Sequence, residues 1–190
     1  MRQQRLAALF VGAWLVSSAV QGRECLGVAF PDQLQLDGNT LMLNGLGTRQ
    51  ATIFKVNVYV AALYVPKASA DAASILAANT PYVMQMHFVR NVGAADIAKG
   101  WTEGFERNAQ AAVPPAGPRV ATLRSWMSDV KSGQEMKFTF RPGAGVEGSV
   151  GGVVKGTIRG DDFGRALLSV WLAVPPNPEI KTGLLGGRCD

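Results

Sequence analysis

The sequence predicts an α+β fold in which helices lie over one face of an antiparallel sheet. The predicted elements run as strands, helices, strands and helices, rather than as alternating strands and helices. A hairpin turn signal joins two of the strands, which makes the sheet antiparallel there. Apolar residues make up 47% of the 190 residues, enough for one sizeable core. Such layers leave room for a cleft between sheet and helices.

The first 22 residues are predicted to be a secretory signal peptide, which leaves residues 23–190 as the folded domain. A basic start, Met1–Arg5, precedes the uncharged apolar run Leu6–Val20. This run is shorter than the ~20 residues that a membrane-spanning helix needs, although an uncleaved anchor is the alternative. We therefore expect a periplasmic or secreted protein with no stable membrane span after cleavage.

The first part of the domain is predicted to consist mainly of strands. Asp37-Gly38, between two alternating apolar runs, indicates a hairpin. Gly45–Thr48 resembles a turn that leads into one long strand, residues 50–65. A short helix, capped by Ser69, and a strand over residues 82–90 follow.

The second part of the domain is predicted to contain two helices, then a second group of strands, and then one more long helix. Residues 94–112 form a helix, because five of them recur at helical spacing on one face. These residues are Ile97, Trp101, Phe105, Asn108 and Ala112. A helix over 119–131 precedes the strands of 135–160. The last long helix aligns Phe163, Leu167, Val170, Trp171 and Val174, and a final turn has Asn177 as its cap.

Several common kinds of site are not supported by the sequence. His87 is the only histidine, so a zinc or iron site lacks partners and a catalytic triad is hard to build. No dinucleotide or phosphate-binding loop is complete, and we predict no metal and no cofactor. The formal charge of +5 falls to +3 when Arg2 and Arg5 leave with the signal peptide. The remaining cations are scattered, which argues against a nucleic-acid partner.

Cys25 and Cys189 are the only cysteines, and they stand near opposite ends of the mature chain. In an oxidising compartment such a pair can form a disulfide, provided that the two termini meet. Two free thiols are the alternative. The distance between the two Cα atoms decides between them.

Arg49, Tyr59 and Asn108 are the candidates for a binding site. A guanidinium matches a carboxylate or another oxyanion, and Tyr59 stands an even number of residues along the predicted strand, on the same side. Asn108 is the polar member of an otherwise apolar helix stripe. Each also has an ordinary structural interpretation: a turn-stabilising arginine, a half-buried strand tyrosine, and a core amide bonded to the backbone.

Three segments together resemble the chalcone-isomerase-like family, over a range from about residue 30 to 187. They are LNGLGTRQATIFKVNVYVAALYVP, AKGWTEGFERN and ALLSVWLAVPPNPEIKTGLLG. The resemblance implies an open-faced β-sandwich, a large antiparallel sheet covered by helices. It also implies a site in which Arg49 and Asn108 match the arginine and asparagine of the plant isomerases. Tyr59 stands where those enzymes have threonine, and Trp101 where they have tyrosine.

This pattern implies a non-catalytic binder of a fatty acid or similar apolar carboxylate. The arginine and tyrosine pair is similar to that of the family's fatty-acid-binding branch, with Trp101 and Phe105 as walls beside Arg49, Tyr59 and Asn108. The region of Met84, Met86 and Phe88 offers a further wall. One alternative is an intramolecular lyase of the chalcone isomerase type, acting on a flavonoid-like ligand, in which Arg49 and Asn108 are catalytic. Another is a structural protein of the cell envelope whose pocket is vestigial.

Overall fold

The computed structural model describes residues 22–51, 54–109 and 112–189. Within these ranges the chain forms nine strands and five helices. In order they are β1 (Gly22–Cys25), β2 (Val28–Pro31), β3 (Gln33–Leu36), β4 (Asn39–Ala51), β5 (Val56–Val65), α1 (Ala72–Ala77), β6 (Tyr82–Phe88), α2 (Ala94–Asn108), α3 (Pro118–Ser125), β7 (Glu135–Arg141), β8 (Gly145–Val150), β9 (Val153–Ile158), α4 (Asp161–Leu172) and α5 (Pro178–Leu184). The predicted signal peptide lies outside the described residues, except Gly22, which begins β1.

Strands β3 to β9 form one antiparallel sheet of seven strands, in which every strand pairs with its neighbours in sequence. The predicted hairpin joins β3 to β4, with Leu36 paired to Asn39. Its two turn residues, Asp37 and Gly38, have φ values of 50° and 81°. Such left-handed pairs match the right-handed twist of hairpin strands. The α+β class and the antiparallel sheet covered by helices are therefore confirmed.

The two faces of the sheet are covered differently. The face that includes Leu63, Met84 and Phe138 packs against the helices and forms the main core. The other face of β4 to β6 packs under the separate β1–β2 hairpin, where Phe30 and Tyr64 are fully buried. Alternate residues of a strand point to opposite faces, so β5 contributes to both cores.

Cys25 and Cys189 form a disulfide that joins the β1–β2 hairpin to the C-terminal tail, with 5.9 Å between their Cα atoms. The two sulfur atoms lie 3.6 and 3.4 Å from the hydroxyl oxygen of Thr48 on β4. The 164-residue separation places the entropic stabilisation at or above the larger end of the usual range of about 2–4 kcal/mol. The bond lies on the sheet face opposite the main core.

The predicted turn at Gly45–Thr48 is wrong, because all four residues lie inside β4. The chain instead reverses between Ala51 and Val56, so the predicted strand 50–65 is divided between two strands. Gly45 and Gly47 have a different purpose: a Cβ atom at Gly47 would overlap the carbonyl oxygen of Ile180 on α5. The glycines let that helix approach the sheet closely.

Four helix boundaries also differ from the prediction. Helix α1 is capped by Asp71, whose carboxylate accepts from the amide of Ala73 at 3.0 Å, and not by Ser69. Helix α2 ends at Asn108 and α3 at Ser125, both earlier than expected. Helix α4 ends at Leu172, so the predicted Val174 lies beyond it and is exposed. No helix in the described part of the chain is long and apolar enough to span a membrane.

Candidate functional site

Arg49 and Tyr59 are direct partners on adjacent strands. Arg49 lies in β4 and Tyr59 in β5, and the antiparallel register pairs the two residues. Tyr59 in turn pairs with Phe88 on β6, and the two rings lie 5.4 Å apart. The prediction placed Arg49 and Tyr59 ten residues apart along one strand. Their common side comes instead from cross-strand pairing, because directly opposed residues point to the same face.

A cleft of about 670 Å³ lies over this part of the sheet. That volume is within the usual range for small-molecule sites. Its floor comes from Ala51, Val58, Tyr59, Met86, Phe88 and Met136. Helix α2 contributes one wall with Ile97, Gly100, Trp101 and Gly104, and Val170, Trp171 and Pro176 lie at one end. Helix α2 therefore forms one wall of a largely apolar cleft.

Arg49 is a half-buried cation in this cleft. Within the described residues, no hydrogen bond or ion pair engages its guanidinium. A cation that has lost part of its hydration without gaining a partner is costly. An anion in the cleft would supply that partner with charge-assisted hydrogen bonds.

Tyr59 is poised to donate a hydrogen bond. The indole nitrogen of Trp171 donates to its hydroxyl oxygen at 3.1 Å, which leaves the hydroxyl proton available. Burial raises the pKa of Tyr59 above its ordinary value of 10.0, against the lowering effects of the Trp171 bond and the Arg49 charge. The hydroxyl is therefore protonated at neutral pH. Arg49 and Tyr59 together present donors, which suits an oxyanion.

Trp101 forms an apolar part of the wall. Its ring meets those of Trp171 and Phe138 edge-on, with centroids 5.5 and 5.2 Å away. Its indole nitrogen lies 3.2 Å from the sulfur of Met127. The polar edge of the ring is thus already engaged, and what the ring offers a ligand is hydrophobic surface.

Phe105 and Asn108 lie elsewhere, as neither is among the described residues that line the cleft. Phe105 is fully buried and stacks on Phe163 at 5.6 Å. The amide of Asn108 donates to the carbonyls of Gly104 at 2.9 Å and Val174 at 3.1 Å. It also accepts from the backbone amide of Val174 at 2.7 Å. Asn108 thus joins the end of α2 to the loop after α4, as a core amide bonded to backbone would.

Several residues of the cleft were identified only partly, or not at all, from the sequence. The resemblance implies a further site position around residues 169–171 without fixing its register, and the structure places Trp171 in the cleft. Nothing in its spacing indicated the bond to Tyr59. Exposed Arg90 and Arg107 stand at the rim, beside the ion pair of Lys99 and Glu103 at 3.7 Å. The Lys99, Glu103 and Arg107 spacing of four was an available signal for one polar flank of α2. Met84, expected as a wall, lies on the same sheet face as Met86 but is fully buried in the main core and does not line the cleft.

Two comparisons with known proteins agree with the fold. Residues 22–186 match the family described as chalcone isomerase-like. A search of curated proteins found no match. Among 37 solved chains that match is a fatty-acid-binding protein from Arabidopsis thaliana, with a TM-score of 0.68 and 13% sequence identity. That match covers 84% of this chain and 92% of the plant chain, and at this identity it shows a common fold. The chain belongs to the chalcone isomerase-like family.

Proposed function

We propose that this chain is an exported, non-catalytic binder of a fatty acid or a similar apolar carboxylate. The observation that carries the proposal is the half-buried Arg49 guanidinium, which faces an apolar cleft without a partner among the described residues. A carboxylate can be buried only if its charge is paired and hydrogen-bonded. Arg49 supplies the charge, and the hydroxyl of Tyr59 supplies a second donor.

The charges around the cleft also favour an anionic ligand. Four basic residues line it, Arg49, Arg90, Lys99 and Arg107, against the two acidic residues Asp96 and Glu103. The difference, four minus two, is a net charge of +2. Lys99 and Glu103 neutralise each other as a neighbouring pair. The excess cations attract an anion from solution and bring it toward Arg49.

The floor gives an acyl chain a path away from its head group. Arg49 is on β4 and Met136 on β7, three strand spacings apart. At a spacing of about 4.8 Å, that distance is roughly 14 Å. Tyr59 on β5 and Met86 and Phe88 on β6 line the floor between them, and Trp101 of α2 lines the same cleft. A carboxylate at Arg49 therefore places the chain across β5 and β6 toward β7, under α2.

The isomerase alternative has less support from the same contacts. Arg49 has a role under both proposals, since it would pair with the carboxylate of a bound ligand or stabilise the oxyanion charge that develops during isomerisation. The second residue assigned to catalysis, Asn108, has its amide engaged by Gly104 and Val174. Trp101 has no hydroxyl with which to polarise a carbonyl. The plant neighbour's description as a fatty-acid-binding protein adds support to the binding reading.

Mass spectrometry of the purified domain tests the proposal. Residues 23–190 of the wild type and of Arg49→Met are extracted with organic solvent, and the extracts are compared. We expect acyl carboxylates in the wild type and their loss in the variant, which keeps the side-chain length without its charge. Arg165→Met, an exposed arginine outside the cleft lining, is the matched control.

Two further measurements complete this test. An empty wild-type extract, together with no binding of added dodecanoate in calorimetry, would overturn the binding proposal. A loss of chalcone absorbance faster than the spontaneous reaction, abolished by Arg49→Met, would instead establish the isomerase.

Export is tested separately, by fractionation. In a Gram-negative host we expect the full chain in the periplasm, shortened at its N-terminus and with Cys25 bonded to Cys189. A chain that starts at residue 23 is the control and is expected in the cytoplasm. Retention of the full chain in the cytoplasm, at its full mass, would contradict export.

A further inference from the structure

Trp171 is a buried residue of α4 that contacts the head-group end of the cleft. Only 1% of its surface is exposed. Its ring packs edge-on against Trp101, which holds the indole plane in place. The nitrogen Nε1 lies 3.1 Å from the hydroxyl oxygen of Tyr59. The hydrogen bond therefore joins two rings that are both fixed by packing, because Tyr59 also lies against Phe88.

This hydrogen bond has a defined direction. An indole nitrogen donates and cannot accept, whereas a phenol oxygen can do both. The Tyr59 oxygen therefore accepts from Trp171, and its own proton points elsewhere. Tyr59 has no other hydrogen bond in the described part of the chain. The side of the Tyr59 hydroxyl that has no partner faces the cleft. Arg49 lines the same cleft from the paired position on β4.

We propose that Trp171 is a positioning residue, which fixes the Tyr59 hydroxyl as a donor and so makes the head-group site select an ionised carboxylate over an alcohol of the same chain length. The inference rests on the proposed function and specifies its ligand class. Arg49 offers donors only, and Trp171 occupies the acceptor side of Tyr59. A carboxylate accepts from both residues, whereas an alcohol brings a proton for which these two residues provide no free acceptor. An unpaired buried donor costs binding free energy.

The titratable surroundings of Tyr59 are consistent with this assignment. Arg49 faces it from β4, and Phe88 on β6 and Trp171 on α4 carry no charge. Helix α2 brings Asp96, Lys99, Glu103 and Arg107 to the cleft, and Arg90 lines it as well. Burial raises the pKa of Tyr59, so its hydroxyl keeps the proton that it donates.

The test compares two tryptophan variants with two probes. Dodecanoate and dodecanol differ only in the head group, and their affinities are measured by displacement of a fluorescent acyl probe. In Trp171→Phe, which keeps an aromatic ring but loses the N–H, we expect the preference for dodecanoate to fall about threefold to tenfold. Dodecanol affinity should stay the same or rise, because the Tyr59 oxygen can now accept.

Trp101→Phe is the matched control, since Trp101 packs on the same cluster but its nitrogen faces Met127. It should lower both affinities by a similar factor and leave the preference unchanged. An equal loss for both probes in Trp171→Phe would overturn the inference, because a purely structural role predicts that result. If wild type prefers dodecanoate and Trp171→Phe keeps that preference in full, the inference fails while the proposed function stands. Wild type that binds neither probe overturns both.

A measurement on the unaltered protein covers the case in which Trp171→Phe does not fold. In protein labelled with ¹⁵N-tryptophan, the indole N–H of Trp171 should exchange slowly with solvent, with and without dodecanoate. The inference would be overturned if the Trp171 indole N–H exchanged as fast as an exposed one. It would also be overturned if dodecanoate binding made this N–H exchange fast, because the bond to Tyr59 would then be lost.

Discussion

The helix-covered face of the sheet has a closed end and an open end, and β4 passes through both. At Gly45 and Gly47 the backbone of α5 lies directly on the strand. Two residues further along the same face, Arg49 borders the cleft. The sheet and α5 are thus in direct contact along β4 as far as Gly47. The cleft therefore begins on β4 next to the point where α5 lies against the strand.

Helix α2 shows the same contrast within one turn. A Cβ atom on Gly104 would lie 2.8 Å from a methyl carbon of Val170 on α4, whereas a Cβ atom on Gly100 would meet nothing within 4 Å. Both glycines border the cleft. One marks a helix contact, and the other faces open space. Close contacts on either side therefore hold the cleft open, since each fixes the position of a helix.

Alanine at Gly47 and at Gly100 should have opposite effects on stability. At Gly47 the new Cβ meets a backbone carbonyl, so α5 must shift and the unfolding free energy should fall by about 3 kcal/mol. At Gly100, in the middle of α2, alanine meets no neighbour and should raise it by about 0.5–1 kcal/mol. Denaturant unfolding followed by circular dichroism measures both. Equal changes in the unfolding free energy of Gly47→Ala and Gly100→Ala would show that the closed and open ends of the sheet face are packed alike.

A larger side chain at Gly100 should act on binding rather than on folding. Leucine at this position has room to enter the cleft, because no atom stands near the added Cβ. Displacing the ligand or straining the site costs about 1–3 kcal/mol, which is a loss of dodecanoate affinity of about fivefold to 150-fold. Calorimetry measures the affinity, with Gly100→Ala as the control of small volume. Unchanged affinity would place the ligand away from α2.

The sequence predicted the layers of this fold better than its turns. The β3–β4 hairpin was predictable, because Asp37-Gly38 adopts the left-handed conformations that those residues tolerate. The β4–β5 reversal was not, since it lacks glycine, proline, asparagine and aspartate, and Lys55 takes a left-handed φ of 49°. The Gly-x-Gly at Gly45 and Gly47 resembled a turn, but its cause is α5, which is more than 130 residues away in sequence.

The candidate site was predictable only where local pattern sufficed. Arg49 and Tyr59 were identified from residue type and resemblance, and Trp101 from its inward position on α2. The pairing of Arg49 with Tyr59 depends on strand register, which shifts by a bulge beside Arg49. The partner of Asn108 is Val174, in a loop 66 residues away. Long-range partners of this kind are not contained in the spacing of one segment.

The hydroxyl groups of Tyr82 and Tyr59 allow the closed end and the open end to be compared, because each makes one hydrogen bond among the described residues. Tyr82 is buried, and its hydroxyl donates to the carbonyl of Gly164 at 2.6 Å. Tyr82→Phe should therefore lower the unfolding free energy by about 1 kcal/mol, because that carbonyl loses its partner. Tyr59→Phe should cost less, since water in the cleft can replace the hydroxyl beside Trp171.

Thermal unfolding and dodecanoate binding separate these two effects. We expect Tyr82→Phe to lower the melting temperature with affinity unchanged, and Tyr59→Phe to lower affinity with little change in melting temperature. The reverse assignment would contradict a division between a closed end that stabilises and an open end that binds.

The smallest expected effect is a difference at alkaline pH. Burial raises the pKa of Tyr59 in the folded chain above its ordinary value of 10.0. Above pH 10 the unfolded chain therefore releases the tyrosine proton while the folded chain keeps it, and stability falls as the pH rises. Removing the hydroxyl removes this contribution, which is below about 1 kcal/mol at pH 10.5. The unfolding free energy of Tyr59→Phe should thus fall less than that of wild type between pH 9 and 10.5. Parallel losses in the two proteins would mean that the open cleft hydrates Tyr59 as fully as unfolding does.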